Sequence, residues 1–123
     1  MHEWSLAKMF LQEAIRISRE QNSGKLLEVC VQIGPLSGVE PSLLESAFDK
    51  LVAEQGAVAT RLVIETTALV VRCRDCDILS EVSDFDFYCG TCQSRTVRVI
   101  QGDELKLISI TVDDELDSET FVR

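Results

Sequence analysis

The sequence predicts an α+β fold: two helices on a small mixed β-sheet, with an inserted four-cysteine zinc-ribbon lobe. Three observations point there. Apolar residues recur at helical spacing in two early segments, and at strand spacing between and after them. Two Cys-x-x-Cys pairs, Cys73/Cys76 and Cys89/Cys92, interrupt the strand-rich half. The order is helix, strand, helix, strand, metal insert, strand, with no repeat and no low-complexity linker.

The first helix is expected from Trp4 to Gln21. Trp4, Leu6, Ala7, Phe10, Leu11, Ala14 and Ile15 share one broad arc of its wheel, and Lys8, Gln12, Arg16 and Arg19 lie opposite. That polar side is either a partner face or an ordinary solvated one. Asn22-Ser23-Gly24 closes the helix with residues that tolerate left-handed backbone. From Leu26 to Ile33, Leu27, Val29, Val31 and Ile33 alternate with Glu28, Cys30 and Gln32, the pattern of a half-buried strand. Gly34-Pro35-Leu36-Ser37-Gly38 reads as a turn, and Pro41 suits the first position of a second helix. Leu44, Ala47, Phe48, Leu51 and Val52 form that helix's stripe. A strand from Arg61 to Arg72 is expected to feed the first knuckle, with further strands at Thr96–Ile100 and Leu105–Val112. The apolar residues of the last strand fall on both faces, so its packing side stays open. The domains expected are an α+β body, 1–72 plus 97–123, and a ribbon insert, 73–96.

The two knuckles carry the clearest chemistry. A two-residue gap lets the backbone turn back, so that both sulfurs of a pair face one centre. Four thiolates then enclose a tetrahedral ion, for which zinc is the first choice and iron in a rubredoxin-like site the second. Paired disulfides are the other reading of such spacing. A closed four-sulfur shell has no position for water or substrate, which makes the ion structural, and its binding supplies folding energy that a short loop lacks.

With 21 acidic against 12 basic residues the chain carries a formal charge of -9, which argues against a nucleic-acid partner. The stretch from Cys73 to Arg95 holds Arg74 and Arg95 against Asp75, Asp77, Glu81, Asp84 and Asp86. A start of MHEWSLAKMF shows no basic leader with an apolar run, and no stretch is long and apolar enough to span a bilayer. Cysteines spaced for metal fit a reducing cytoplasm. Cys30 reads as a buried or half-buried small side chain rather than a reactive thiol, and the acidic run 113–119 as a solvated end.

His2, the sole histidine, stands beside the terminal amine and before Glu3. The Met1 amine, the His2 backbone nitrogen and the His2 imidazole can close two fused chelate rings, and the Glu3 amide or carboxylate can take a fourth position. Nitrogen-rich planar donor sets suit Ni(II) or Cu(II) better than zinc. The alternative is a histidine that caps or packs beside the first helix.

MHEWSLA at the start, the run from Ile33 through Gly34-Pro35-Leu36-Ser37-Gly38 to Pro41, the two knuckles and Gly102-Asp103-Glu104-Leu105 together resemble the HypA/HybF family of hydrogenase nickel-incorporation proteins. The resemblance covers residues 1 to about 112, in the family's order. It implies a non-enzymatic nickel metallochaperone for NiFe-hydrogenase maturation, with His2 as nickel ligand, Met1 and Glu3 beside it, and structural zinc on Cys73, Cys76, Cys89 and Cys92. It also implies a HypB-type GTPase partner, the hydrogenase large subunit as recipient, and urease maturation proteins for some members. Trp4 stands where many members carry an aliphatic residue, and the extension after Val112 passes the usual family end.

Two other functions compete. A zinc-ribbon adaptor for protein partners needs no nickel. A zinc hydrolase lacks both an open coordination position and imidazoles for acid–base work. The chain also has no phosphate-binding Walker loop.

Overall fold

A computed structural model describes residues 3–21, 25–56, 60–113 and 119–121, the last of these as backbone only. The elements are α1 (Glu3–Glu20), β1 (Lys25–Ile33), α2 (Pro41–Glu54), β2 (Arg61–Thr66), β3 (Val70–Cys73), β4 (Leu79–Glu81), β5 (Val97–Gln101), β6 (Leu105–Asp113) and β7 (Glu119–Phe121), with a 3-10 turn at Pro35–Ser37. The chain divides into two compact units, one of residues 1–32, 38–65 and 106–123, the other of 33–37 and 66–105.

The first unit holds both helices and a four-stranded sheet of order β2-β1-β6-β7. Leu6, Ala7, Phe10, Leu11 and Ala14 of α1 are buried, and Ser18 extends the same stripe by one more turn. Trp4, which the wheel places on that stripe, is 43% exposed: it sits in the first turn, where the stripe ends. On α2 the stripe is Leu44, Ala47, Phe48, Leu51 and Val52, with Pro41 in its first turn. The helices pack against each other. One Glu3 carboxylate oxygen accepts the N–H of Glu40, the N-cap of α2, at 3.2 Å, so both N-termini lie together and the helices run the same way. On α1, Arg16 is clasped by Glu13 and Glu20, which removes it from the set of uncommitted cations on the polar side.

β1 buries Val29, Val31 and Ile33 as its alternation requires. In β6 the buried residues are Leu107, Ser109, Ile110 and Val112, a change of phase at Ser109/Ile110 that explains apolar residues on both faces of the pattern. β7 pairs antiparallel with β6 from Ser109↔Phe121 to Thr111↔Glu119, a strand that the acidic composition of 113–119 conceals. Residues 114–118 of that run lie outside the described residues.

The second unit holds an antiparallel sheet of order β4-β3-β5. Its small core is Leu69, Val71 and Val82, with Phe87 and Val97 packed against it. The strand expected over Arg61–Arg72 is two strands, β2 and β3, in different sheets. The break has a cause: the Thr67 N–H donates to the Ile33 carbonyl at 3.2 Å and its hydroxyl to the Glu104 carboxylate at 2.7 Å. Those bonds take the chain out of one ladder before β3 enters the next. The unit around the knuckles therefore starts and ends several residues outside 73–96, and takes in 33–37 as well. Among the described residues, no helix is long and apolar enough to cross a membrane.

Candidate metal centre

Each knuckle is built the same way. The Cys73 N–H donates to the Ile78 carbonyl at 3.0 Å, and the Asp77 N–H returns to the Cys73 carbonyl at 3.0 Å. The Cys89 N–H donates to the Ser94 carbonyl at 2.9 Å, and the Gln93 N–H returns to the Cys89 carbonyl at 2.9 Å. The turns close because Asp77 and Gln93 adopt left-handed backbone, φ 63° and 65°. Neighbouring bonds fix the turns in place: Gly90 N–H to Ser80 Oγ at 3.0 Å, Arg74 N–H to the Thr96 carbonyl at 2.9 Å, and the Ser94 hydroxyl to the Asp75 carboxylate.

The result is a cluster whose four Sγ atoms all lie within 4.8 Å of one another. The close approaches run between knuckles, Cys73 to Cys92 and Cys76 to Cys89, each at 3.5 Å. A disulfide needs about 2.05 Å. Four sulfurs at the corners of a tetrahedron with metal–sulfur bonds of about 2.3 Å are about 3.8 Å apart. The observed spacing brackets that figure, so the donor set fits a zinc-sized, thiophilic ion. Cys73 and Cys89 are buried and Cys92 is exposed, which puts one edge of the cluster at the surface.

The thiols are not equivalent. The N–H groups of Cys76 and Asp75 point at Cys73 Sγ, at 3.4 and 3.3 Å, and hold that thiol below the ordinary range. The N–H groups of Cys92 and Thr91, both at 3.4 Å, bring Cys89 down to about 6. At Cys76 the Ile78 N–H favours the thiolate, but desolvation and the neighbouring sulfurs outweigh it and push the thiol up to about 12. Cys92 is raised for a related reason: the Ser94 N–H is opposed by the Cys73 sulfur, desolvation and Cys89. The first cysteine of each knuckle is shifted towards the thiolate, Cys89 to about 6, and the second is shifted towards the protonated thiol.

A second set of bonds ties the motifs flanking the lobe. The Gly34 N–H donates to the Glu104 carbonyl at 2.8 Å and the Leu36 N–H to the Gly102 carbonyl at 2.7 Å. The Glu104 carboxylate accepts from the Gly102 N–H at 3.0 Å and from Thr67. A Cβ on Gly34 would lie 2.2 Å from the Gly102 carbonyl oxygen, so only glycine allows this approach. Sequence reading marks these two motifs without giving them a task. In the structure they splice 33–37 to 102–104.

Met1 and His2 lie outside the described residues. Glu3 is described, and its carboxylate is engaged at the start of α2. Glu40 thus stands beside the N-terminal segment, a proximity across 37 positions that no local pattern signals. Cys30 is half-buried.

The family model for hydrogenase/urease nickel incorporation, metallochaperone, hypA, matches residues 1–112. The hydrogenase maturation factor HypA of Shewanella baltica (strain OS185) is 32% identical over 117 residues, 95% of this chain and 100% of the relative. That of Aquifex aeolicus (strain VF5) is 36% identical over 115 residues, 92% and 98% of the two chains. The fold is similar to the solution structure of the Ni metallochaperone HypA from Helicobacter pylori, with TM-score 0.60 and 27% identity over 89% of this chain and 96% of that one. It is also similar to a solution structure of HypA protein, with TM-score 0.66 and 27% identity over 91% and 96%.

Proposed function

Because the chain belongs to the HypA family of hydrogenase and urease nickel-incorporation metallochaperones, we propose that it binds Ni(II) at Met1-His2-Glu3 and delivers it during NiFe-hydrogenase maturation. One observation carries this: the family match over 1–112 takes in both the Met-His-Glu start and all four cysteines. A metallochaperone is a carrier and not an enzyme, so the metal leaves as it arrived.

Zinc is assigned to Cys73, Cys76, Cys89 and Cys92, where it cross-links two turns and supplies folding energy. Such a shell is closed to exchange. The cargo therefore belongs at the chain start, on the Met1 amine, the His2 amide and imidazole, and Glu3. With one Glu3 carboxylate oxygen already accepting the Glu40 N–H, the Glu3 amide nitrogen is the fourth donor this reading favours. Amides in a helix's first turn have no intrahelical acceptor, so coordination there breaks no helix bond. Two deprotonated amides also cancel the ion's charge, which a helix N-terminus would otherwise repel.

The same reading places the protein in the cytoplasm, with a HypB-type GTPase and the NiFe-hydrogenase large subunit as partners, urease maturation proteins as a further destination, and no nucleic acid. The polar side of α1, where Gln12 and Arg19 line a cleft with Gln55, is the candidate GTPase face. The test is nickel titration of chain with its native N-terminus, with zinc measured in parallel. His2→Ala is expected to abolish tight nickel binding while zinc content stays the same. Unchanged nickel stoichiometry and affinity would overturn the assignment and leave a zinc-ribbon adaptor as the function.

A further inference from the structure

The ribbon unit is acidic in its loops, yet one part of it is basic. β3 and β5 pair antiparallel so that Arg72 faces Arg98, and β3 and β4 pair so that Arg72 faces Leu79. Directly paired residues share a sheet face, so Leu79, Arg72 and Arg98 form one row across three strands. Like charges directly opposite each other destabilise a sheet, and this pair is relieved from within only on the Arg72 side. Arg72 has one ion-pair partner, Asp77 at 3.2 Å, whose side chain is 83% exposed. Among the described residues, the Arg74 and Arg98 guanidiniums form no ion pair. Arg95, by contrast, is satisfied by Asp86 at 2.6 Å and lies over the Tyr88 ring. The unit's three other arginines line a cleft of about 330 Å³ with Cys73 and Asp77. Leu79, half exposed, continues the row at its edge.

We propose that Arg72, Arg74 and Arg98 form a docking cleft for an acidic, partly apolar segment of a partner protein. Carboxylates supply the counter-charge that Arg74 and Arg98 lack, and guanidinium forks bind them with two parallel hydrogen bonds. Leu79 gives the segment an apolar contact that a free oxyanion does not use. A net charge of -9 on the chain opposes a long polyanion such as DNA, while a short segment sees mainly the local arginines. The cleft does not depend on the nickel reading.

The test uses zinc-loaded full-length protein and a fluorescein-labelled peptide of alternating glutamate and leucine, followed by anisotropy at about 0.15 M salt. The wild type is expected to bind, and Arg98→Glu and Arg74→Glu each to weaken binding at least about tenfold with zinc content unchanged. Arg61→Glu, on β2, makes the same change in net charge and is expected to stay within about twofold of wild type. Absence of binding by the wild type overturns the proposal, as does equal weakening by Arg61→Glu. So does displacement of the peptide by equimolar inorganic phosphate, or tighter binding of duplex DNA. Should Arg98→Glu lose zinc, Arg98→Gln is measured instead: wild-type affinity in that variant shows that the arginine only balances the thiolates, and the proposal falls.

Discussion

Asp77 and Gln93 hold the same place in the two knuckles: each donates its N–H to the carbonyl of its knuckle's first cysteine, and each has left-handed backbone. For a residue with a Cβ that conformation costs about 1–2 kcal/mol, and it is worst for a β-branched side chain. Asp77 also pairs with Arg72, so Gln93 is the cleaner probe. Gln93→Val is expected to lower zinc affinity by about tenfold, because strain in the turn is set against metal binding. Gln93→Gly should bind zinc at least as tightly as wild type. Competition with a chromophoric chelator reads both, and equal affinities for the two variants would show that the turn tolerates either backbone.

Gly34 and Gly38 lie close in sequence and are restricted for different reasons. At Gly34 the obstacle is space: a Cβ meets backbone atoms of Gly102 at 2.2 and 2.4 Å, and these cannot swing aside. At Gly38 nothing is near, but φ is 77°. Gly34→Ala is expected to cost on the order of 3 kcal/mol in denaturant unfolding, and Gly38→Ala about 1 kcal/mol. Reversed magnitudes would mean that the splice between 33–37 and 102–104 yields easily.

What the sequence makes legible follows from which interactions are local. The stripe on α1 and the knuckles are set by spacings of a few residues, and apart from the exposed Trp4 each appears where its spacing puts it. The splice is not local. Gly34, Thr67 and Glu104 meet only in three dimensions, so an unbroken apolar run from Ala68 to Val71 conceals the change of sheet. Arg72 and Arg98 likewise lie just outside the stretch from Cys73 to Arg95, whose charges are counted as acidic, and only strand register brings them together. β7 is hidden because pairing with β6, rather than its own composition, makes it a strand.

Cys76→Ser removes one of four sulfurs from the cluster, and the lobe has little else to hold it. Its apolar core is three buried residues with two partly buried neighbours, too small to order residues 66–105 alone. The variant is expected to lose stoichiometric zinc and to lose amide protection between Cys73 and Cys92 in hydrogen exchange. The α1–α2 pair has its own buried stripes and should keep its protection. Purified wild-type protein that holds neither zinc nor iron, with disulfides in its knuckles, would contradict this account.

The unequal thiols give a proton count. In the metal-free fold at about pH 7.5, Cys89 is already a thiolate, since its N–H donors hold it at about 6. Cys76, at about 12, and Cys92, raised above its ordinary range, keep their protons, while Cys73 is shifted towards the thiolate. Zinc takes four thiolates, so its binding should release between about two and three protons rather than four. The sign of the pH dependence follows. As pH falls through about 6, Cys89 gains a proton that zinc must displace, so proton release rises and apparent affinity drops. Above that range affinity keeps rising with pH, because Cys76 and Cys92 still carry protons for the metal to expel. Calorimetry in buffers of different ionisation enthalpy measures the count directly. A release of four at pH 7.5 would show that the N–H groups of Thr91 and Cys92 leave Cys89 protonated, and that the first cysteines of the knuckles are not prepared for metal.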